Sequence, residues 1–233
     1  MDKNDVLRWL EQRGSRRIAE GMGRYGIQTE LKVFGVAMGT LLSLRKQLGR
    51  DHALAVALWK SGCYEARLLA TLVDDPQRVT RQQMNSWAAS FENWADCDTA
   101  CFHLFDRTPF AWDQARQWAK APREFVKRAG FVLMACLALH DKDAPDSKFL
   151  PLLTLIERGA NDERNFVKKG VNWALRSIGR RGLHLNEAAL LVARRLAKSK
   201  AEAPRWIGRD ALRELASPKV RASLRKKKNN EKP

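Results

Sequence analysis

The sequence predicts an all-α protein built from short helices, and three observations support that prediction. Apolar residues recur with helical spacing along most of the chain. Proline, glycine, asparagine and aspartate fall between these stretches, at positions where such residues begin or end helices. No segment rich in valine, isoleucine and threonine alternates with a period of two, so the sequence predicts no β-strands.

The individual helices follow from the apolar runs and their boundaries. Asn4 and Asp5 open an amphipathic stretch that extends through Ala19, and a glycine-rich passage over 21–26 interrupts it. The runs beyond that passage predict helices over 31–48, 52–60, 62–73, 81–90, 93–106, 111–119, 123–140, 147–157, 162–180, 186–198 and 204–216. Typical breaks are Gly49-Arg50-Asp51, Asp74-Asp75-Pro76, Thr108-Pro109 and Asp143-Ala144-Pro145.

Three segments share a pattern that indicates internal repeats. Residues 64–69, 125–130 and 166–171 each begin with an aromatic residue, carry a cation three residues later and continue with small or apolar residues. The last two start 41 residues apart, within the range of HEAT-like helix pairs. The expected architecture is therefore a HEAT-like or ARM-like helical-repeat solenoid with a concave basic face over 1–216. Residues 217–233 are expected to form a basic, flexible tail that starts as a short helix.

The charge of the chain predicts a polyanionic partner. Lysine and arginine total 43 against 26 acidic residues, giving a formal charge of +17 that is spread along the sequence. Nucleic acid is the first candidate, an anionic membrane surface is the second, and a basic but inert surface is the remaining alternative. No apolar stretch approaches the roughly 18 residues of a membrane span, and no signal peptide is recognisable, so we expect a cytoplasmic protein.

Cysteine and histidine usage predicts neither a metal site nor a cofactor. The four cysteines form no CxxC pair and sit in apolar helical patterns, so we expect them to be small core residues (Cys63, Cys97, Cys101 and Cys136). The four histidines show no ligand spacing. The sequence contains no P-loop, GxSxG, HExxH or dinucleotide fingerprint, which argues against those enzyme classes.

The segment 93–101 is the most informative for chemistry. Trp94 and Asp98 are four residues apart, so a helix would stack them on one face. The plain alternative is that Trp94 belongs to the core and Asp98 is a solvated surface acid. A second cluster, in which Trp173 is followed by Arg176 and Arg180, interleaves aromatic and basic residues as surfaces that hold nucleic acid do.

Four segments, taken in order, resemble the HEAT-like-repeat DNA alkylation-repair glycosylases of the AlkD type. They are Asn93-Trp94-Ala95-Asp96-Cys97-Asp98-Thr99, Glu124-Phe125-Val126-Lys127-Arg128-Ala129-Gly130, the segment from Asn165 to Arg176, and Trp206-Ile207-Gly208-Arg209-Asp210-Ala211-Leu212. The resemblance runs from about residue 34 to about residue 215. It implies a glycosylase that removes cationic N3- or N7-alkylated purines from double-stranded DNA by base excision, gripping the backbone without flipping the base.

The resemblance also implies roles for particular residues. The family's two tryptophans match Trp94 and Trp173, its catalytic aspartate matches Asp98, and its helix-borne arginine matches Arg128. Arg128 would hold a phosphate or fix the backbone, as would the neighbouring cations, which are Lys168, Lys169, Arg176 and Arg180. We expect a monomer that binds duplex DNA with alkylated bases and needs no metal, no cofactor and no membrane.

Two other functions stay open at this point. A non-catalytic HEAT-like module that binds DNA, RNA or protein would explain the charge and the repeats equally well. A relative that binds damaged or branched DNA without cutting it is the other alternative. Asp98 favours catalysis, because an acid inside a basic face weakens phosphate binding and a scaffold has no use for it.

Overall fold

The computed structural model describes residues 1–230, with side chains as far as residue 226. Within these residues the regular structure is helical, and the nearest approach to a strand is an isolated bridge between Lys32 and Cys63. The all-α prediction is confirmed. The chain divides into two compact units, of which the first is Met1–Phe110 and the second begins at Ala111.

Each unit is a series of short helices. The first unit contains α1 (Lys3–Gln12), α2 (Arg16–Gly21), α3 (Met38–Leu48), α4 (His52–Trp59), α5 (Tyr64–Val73), α6 (Arg81–Ala89) and α7 (Trp94–His103), with 3-10 turns at Met22–Tyr25 and Phe105–Arg107. The second contains α8 (Ala111–Trp118), α9 (Glu124–His140), α10 (Asp146–Gly159), α11 (Asn165–Gly179), α12 (Leu183–Ala197), α13 (Glu202–Leu215) and α14 (Pro218–Asn230). Helix α14 lies in the segment predicted as a basic tail, whose residues 231–233 are outside the described residues.

The predicted helix boundaries agree closely with the observed ones except near the N-terminus. The helix predicted from residue 31 is wrong over 31–37 and begins at Met38. The buried carboxylate of Glu65 accepts hydrogen bonds from the backbone N–H groups of Phe34, Gly35 and Val36, which are then not available to a helix. Gly35 also has a φ of 81°, which interrupts any helix there.

Within each unit, consecutive helices pack on one another and alternate helices lie side by side. In the first unit α4 packs on α5, and α5 lies between α3 and α7. In the second unit α8 packs on α9 and α12 packs on α13, while α11 lies between α9 and α13. The four cysteines are buried and form no disulfide, which confirms their prediction as core residues. No helix among residues 1–230 meets the length and apolarity of a bilayer span.

Two glycines permit the closest helix contacts of the second unit. A Cβ added to Gly130 on α9 would lie 2.2 Å from the backbone nitrogen of Ala119, which follows α8. A Cβ on Gly208 of α13 would lie 2.3 Å from the backbone nitrogen of Ala197 at the end of α12. Because the neighbouring atoms are backbone, neither pair can accommodate even a methyl group without moving apart.

One aspartate joins the turns that precede α9 and α11. Asp162 accepts from Lys127 Nζ at 2.8 Å and from Arg164 Nε and Nη2 at 2.8 and 2.6 Å. Arg164 also donates to the carbonyl of Pro122 at 2.7 Å. The hydrogen bonds from Arg164, followed by those from Lys127, hold the pKa of Asp162 well below its usual value.

Gly130→Ala is expected to lower the free energy of unfolding by about 2–3 kcal/mol, because the new methyl group forces α8 and α9 apart. Gly39→Ala is the matched control, since a Cβ at Gly39 on α3 meets nothing within 4 Å and alanine gains about 0.5 kcal/mol in a helix. Urea unfolding followed by circular dichroism measures both. Equal stability of the two variants would contradict the close contact.

Asp162→Asn is expected to lower stability by about 1–2 kcal/mol at pH 7, because charged hydrogen bonds to Lys127 and Arg164 are lost. The folded pKa of Asp162 is depressed, so its contribution is present above the unfolded pKa of 3.8 and is lost as the pH falls towards the folded value. The difference in unfolding free energy between the wild type and Asp162→Asn should therefore be smaller below pH 3 than at pH 7. A gap independent of pH would rule out the ionised carboxylate as its source.

Candidate functional site

Helix α7 begins at a capping box that fixes its register. Asn93 Oδ1 accepts from the backbone N–H groups of Ala95 and Asp96 at 2.9 and 3.2 Å. The carboxylate of Asp96 accepts in return from the N–H groups of Glu92 and Asn93 at 3.0 and 3.3 Å, and from Cys97 at 2.7 Å. This reciprocal arrangement satisfies donors that the first turn of a helix otherwise leaves unpaired.

Asp96 is a structural acid. Its side chain is buried, and burial raises its pKa to about 6 although the three backbone N–H bonds act in the opposite direction. Because the carboxylate already accepts from the backbone at the helix start, it is not directed at solvent. Among the acids of α7, Asp98 is half-buried and therefore partly reachable from solvent.

Trp94 and Asp98 occupy the same half-exposed face of α7, one helical turn apart. Trp94 is therefore not a core residue. The buried positions of α7 include Cys97, Thr99 and Ala100 instead. The indole Nε1 of Trp94 donates to the backbone carbonyl of Tyr25 at 2.8 Å. This bond restrains the ring while leaving part of it accessible.

Sequence reasoning did not identify Tyr25 as part of this region. It ends the 3-10 turn Met22–Tyr25, and its side chain is 72 % exposed, the largest value among the exposed large hydrophobic residues described. The glycine-rich passage was interpreted only as a helix break. An aromatic residue inside such a passage was the available signal, but its partner Trp94 is 69 residues away.

Helix α11 carries the second aromatic candidate within a basic stripe. Phe166, Lys169, Trp173, Arg176 and Arg180 follow one another at intervals of three or four residues, and each is at least partly exposed. Trp173 is half-exposed, and within residues 1–226 its indole makes no hydrogen bond and no aromatic contact. A large, accessible aromatic surface beside cations suits contact with a nucleic acid.

The two predicted DNA-binding arginines are held by acids of α13. Arg176 Nη1 lies 2.6 Å from Glu214 Oε2 and 3.6 Å from Asp210 Oδ2, and Arg180 Nη1 lies 3.1 Å from Glu214 Oε1. Asn172 Nδ2 donates to Asp210 at 2.8 Å. These pairs orient the guanidinium groups next to Trp173 along the stripe, and they also neutralise part of its positive charge.

The two predicted DNA-binding lysines have different surroundings. Lys168 Nζ lies 5.3 Å from the ring centroid of Trp206 on α13, in a cation–π arrangement. Lys169 is exposed on the same face as Trp173, and no acid of the described residues forms an ion pair with it. Lys169 is therefore the cation of the stripe that is most available to an external anion.

Arg128 lies in the interior of the second unit. Its side chain is 6 % exposed, and its Nη1 donates to the backbone carbonyl of Phe166 at 2.7 Å, which ties α9 to the first turn of α11. Arg67, the matching cation of the first repeat, is also buried and donates to the carbonyl of Ser90 at 2.9 Å. This position lets Arg128 fix the protein backbone at the start of α11, and the DNA contact expected from the resemblance stays a prediction.

The predicted residues thus fall into two groups. Trp94 and Asp98 share α7 in the first unit, while Arg128, Trp173 and the cations of α11 belong to the second unit, where α9 and α11 are adjacent. The described side chains contain no cluster of three or more histidine, cysteine, aspartate or glutamate residues arranged to hold a metal ion.

Comparison with known proteins agrees with this arrangement of helices. Uncharacterized proteins of Listeria innocua (Lin0241) and Listeria monocytogenes (Lmo0209) are each 23 % identical to the chain over 177 residues, covering 75 % of this chain and 77 % of theirs. A solved structure, from a new family of proteins related to the HEAT-like repeat DNA glycosylases with affinity for branched DNA structures, superimposes with a TM-score of 0.75. It is 21 % identical and covers 91 % of this chain and 95 % of its own.

The HEAT-like repeat fold predicted from the sequence is confirmed by this superposition. The family of DNA alkylation repair enzymes matches residues 6–215, which is nearly the whole chain and includes α7, α9, α11 and α13. The protein belongs to the DNA alkylation repair enzyme family.

Proposed function

We propose that the protein is a DNA glycosylase that hydrolyses the N-glycosidic bond of cationic N3- or N7-alkylated purines in double-stranded DNA. The observation that carries the proposal is the face of α7 on which a restrained, half-exposed indole stands one turn from a half-buried carboxyl group. Membership of the DNA alkylation repair enzyme family supports it.

The chemistry explains why these side chains suit such a reaction. An alkylated purine that carries a positive charge leaves as a neutral base, so it needs no general acid. The deoxyribose becomes positively charged as the bond breaks, and the carboxylate of Asp98 would stabilise that charge and orient the attacking water. The face of Trp94 would offer its negative quadrupole to the same cation, and the accessible ring of Trp173 would contact the DNA beside the cations of α11.

The remaining predicted residues would hold the DNA backbone. Lys169 would contact a phosphate directly, and Arg176 and Arg180 would present the guanidinium edges left by their pairing with α13. Arg128 would act as a positioning residue, because it fixes the start of the helix that carries Trp173. A protein that grips the backbone in this way would leave the lesion in the duplex, without flipping the base into a pocket.

Asp98→Asn is expected to lower the rate of N7-methylguanine release from methylated duplex DNA by about 100-fold or more, because the charge opposing the oxocarbenium ion is removed. Duplex binding should be unchanged or tighter, since one negative charge is lost. Released bases are separated by chromatography after single-turnover incubation. Asp113→Asn, which removes an exposed acid paired with Arg116 on α8, is the control. Wild-type excision by Asp98→Asn would dismiss the catalytic role.

Trp173→Ala is expected to lower the same rate by about tenfold, because the accessible ring beside the cations of α11 would no longer contact the DNA. Its stability should change little, because the indole is half-exposed and has no hydrogen bond. Trp9→Ala on α1 provides a control of equal size and similar exposure outside the proposed site. Equal rates for the two tryptophan variants would remove Trp173 from the mechanism.

A second candidate function is the binding of branched DNA without base release. It is favoured by the solved structure of similar fold, whose family has affinity for branched DNA structures. A four-way junction and a linear duplex of the same sequence would be compared by mobility shift at fixed salt. Preferential binding of the junction, together with no release of alkylated bases by the wild-type protein, would replace the glycosylase proposal with this one.

A further inference from the structure

A cavity of about 920 Å³ lies at the start of α12, entirely within the second unit. Its walls come from the end of α9 and the loop after it, the end of α11, the first residues of α12, and α14. The volume is in the range of small-molecule sites, roughly 300–1,000 Å³. Trp94, Asp98 and Trp173 do not line it, so it is separate from the proposed glycosylase residues except for Arg180.

The charges that line the cavity favour an anion. Its basic lining residues are Lys142, Arg181 and Arg180, of which Arg180 is paired with Glu214 at 3.1 Å. Asp146 is the single acid among the lining residues, and it pairs with His184 at 3.3 Å. Arg181 donates to the backbone carbonyls of residues 138, 142 and 144, so it rigidifies the loop and contributes its charge. The exposed side chain of Lys142 is positioned to contribute a donor as well.

The N-terminus of α12 supplies uncapped backbone donors to the same cavity. The helix is 15 residues long, and its N-cap is Gly182, which has no side chain to accept from the first-turn N–H groups. Gly182, Leu183 and His184 all line the cavity. Unpaired N–H groups together with the positive end of a helix dipole form a binding site for anions such as phosphate.

An independent observation comes from α11. Ser177 lines the cavity and is 1 % exposed, yet its Oγ has no hydrogen-bond partner among residues 1–226. A buried hydroxyl group without a partner is uncommon, because its desolvation is not compensated. A ligand oxygen in the cavity would provide the missing acceptor.

We propose that this cavity binds the phosphate group of a nucleotide-sized phosphomonoester. The phosphate would be held by the first-turn N–H groups of α12, with Ser177 and Lys142 as side-chain donors. The volume exceeds what a phosphate group needs, and Leu139, Pro145 and Leu224 give the remainder an apolar lining for the organic part. The site does not depend on the proposed glycosylase function. Its phosphate would come from a free nucleotide or from the 5′ end of a DNA strand.

Gly182→Asp and Gly182→Ala test the site as a matched pair. Gly182 has an extended backbone that any residue adopts, and a Cβ there meets nothing within 4 Å, so both variants should fold. The aspartate would cap α12 with its own carboxylate, which occupies the N–H groups and repels a phosphate. Gly182→Asp should therefore melt at a higher temperature and bind at least tenfold more weakly, whereas Gly182→Ala should bind as the wild type does.

Binding would be measured by isothermal titration calorimetry with dAMP, inorganic phosphate and deoxyadenosine, and by competition with hairpin DNA carrying or lacking a 5′-phosphate. We expect dAMP or the phosphorylated hairpin to bind the wild type and to bind Gly182→Asp more weakly. Deoxyadenosine should not bind. Ser177→Ala should weaken that binding about fivefold. Deoxyadenosine binding as well as dAMP, equal binding to Gly182→Asp and Gly182→Ala, or no binding by any phosphorylated probe would each overturn it.

Discussion

The arrangement of the basic stripe on α11 follows from packing on two sides of that helix. Helix α5 lies between α3 and α7, and α11 lies between α9 and α13. Helix α11 keeps one narrow stripe of side chains that reach solvent, whereas α5 is buried along its whole length. On α11 that stripe contains an accessible indole and three cations, and the corresponding half-exposed face of α7 contains Trp94 and Asp98.

One sequence pattern serves two purposes in the repeats. The sequence shows the self-similar pattern, an aromatic residue followed by a cation three positions later. It does not show which of these cations are buried. Arg67 and Arg128 are interior residues that donate to backbone carbonyls of the following segment, whereas Lys169 at the same place in its repeat is exposed. A guanidinium group has several donors in a planar fork and is suited to bridging backbone. The lysine of the third copy instead projects into solvent.

Sequence reasoning succeeded where the determining interactions are local. Gly49 and Asp51 were expected as a break and mark the end of α3 and the start of α4. It failed over 31–37, because the acceptor for that backbone is a carboxylate 30 residues away. The acids that pair with the arginines of α11 are similarly remote, since Glu214 is 38 residues from Arg176. No periodicity encodes such partners, since they are set by how helices are placed in space.

The hydrogen bond from the Trp94 indole to the Tyr25 carbonyl makes the orientation of this ring depend on a turn 69 residues earlier in the chain. Every residue assigned to the glycosylase chemistry lies between 94 and 180, yet the acceptor that orients the first ring belongs to a short turn near the beginning of the chain. Proteolysis after Gly26 that removed the N-terminal fragment would leave all of those side chains intact. The Trp94 indole would then lose its acceptor and could rotate. Residues 1–26 therefore supply the hydrogen-bond acceptor that orients a ring they do not contain.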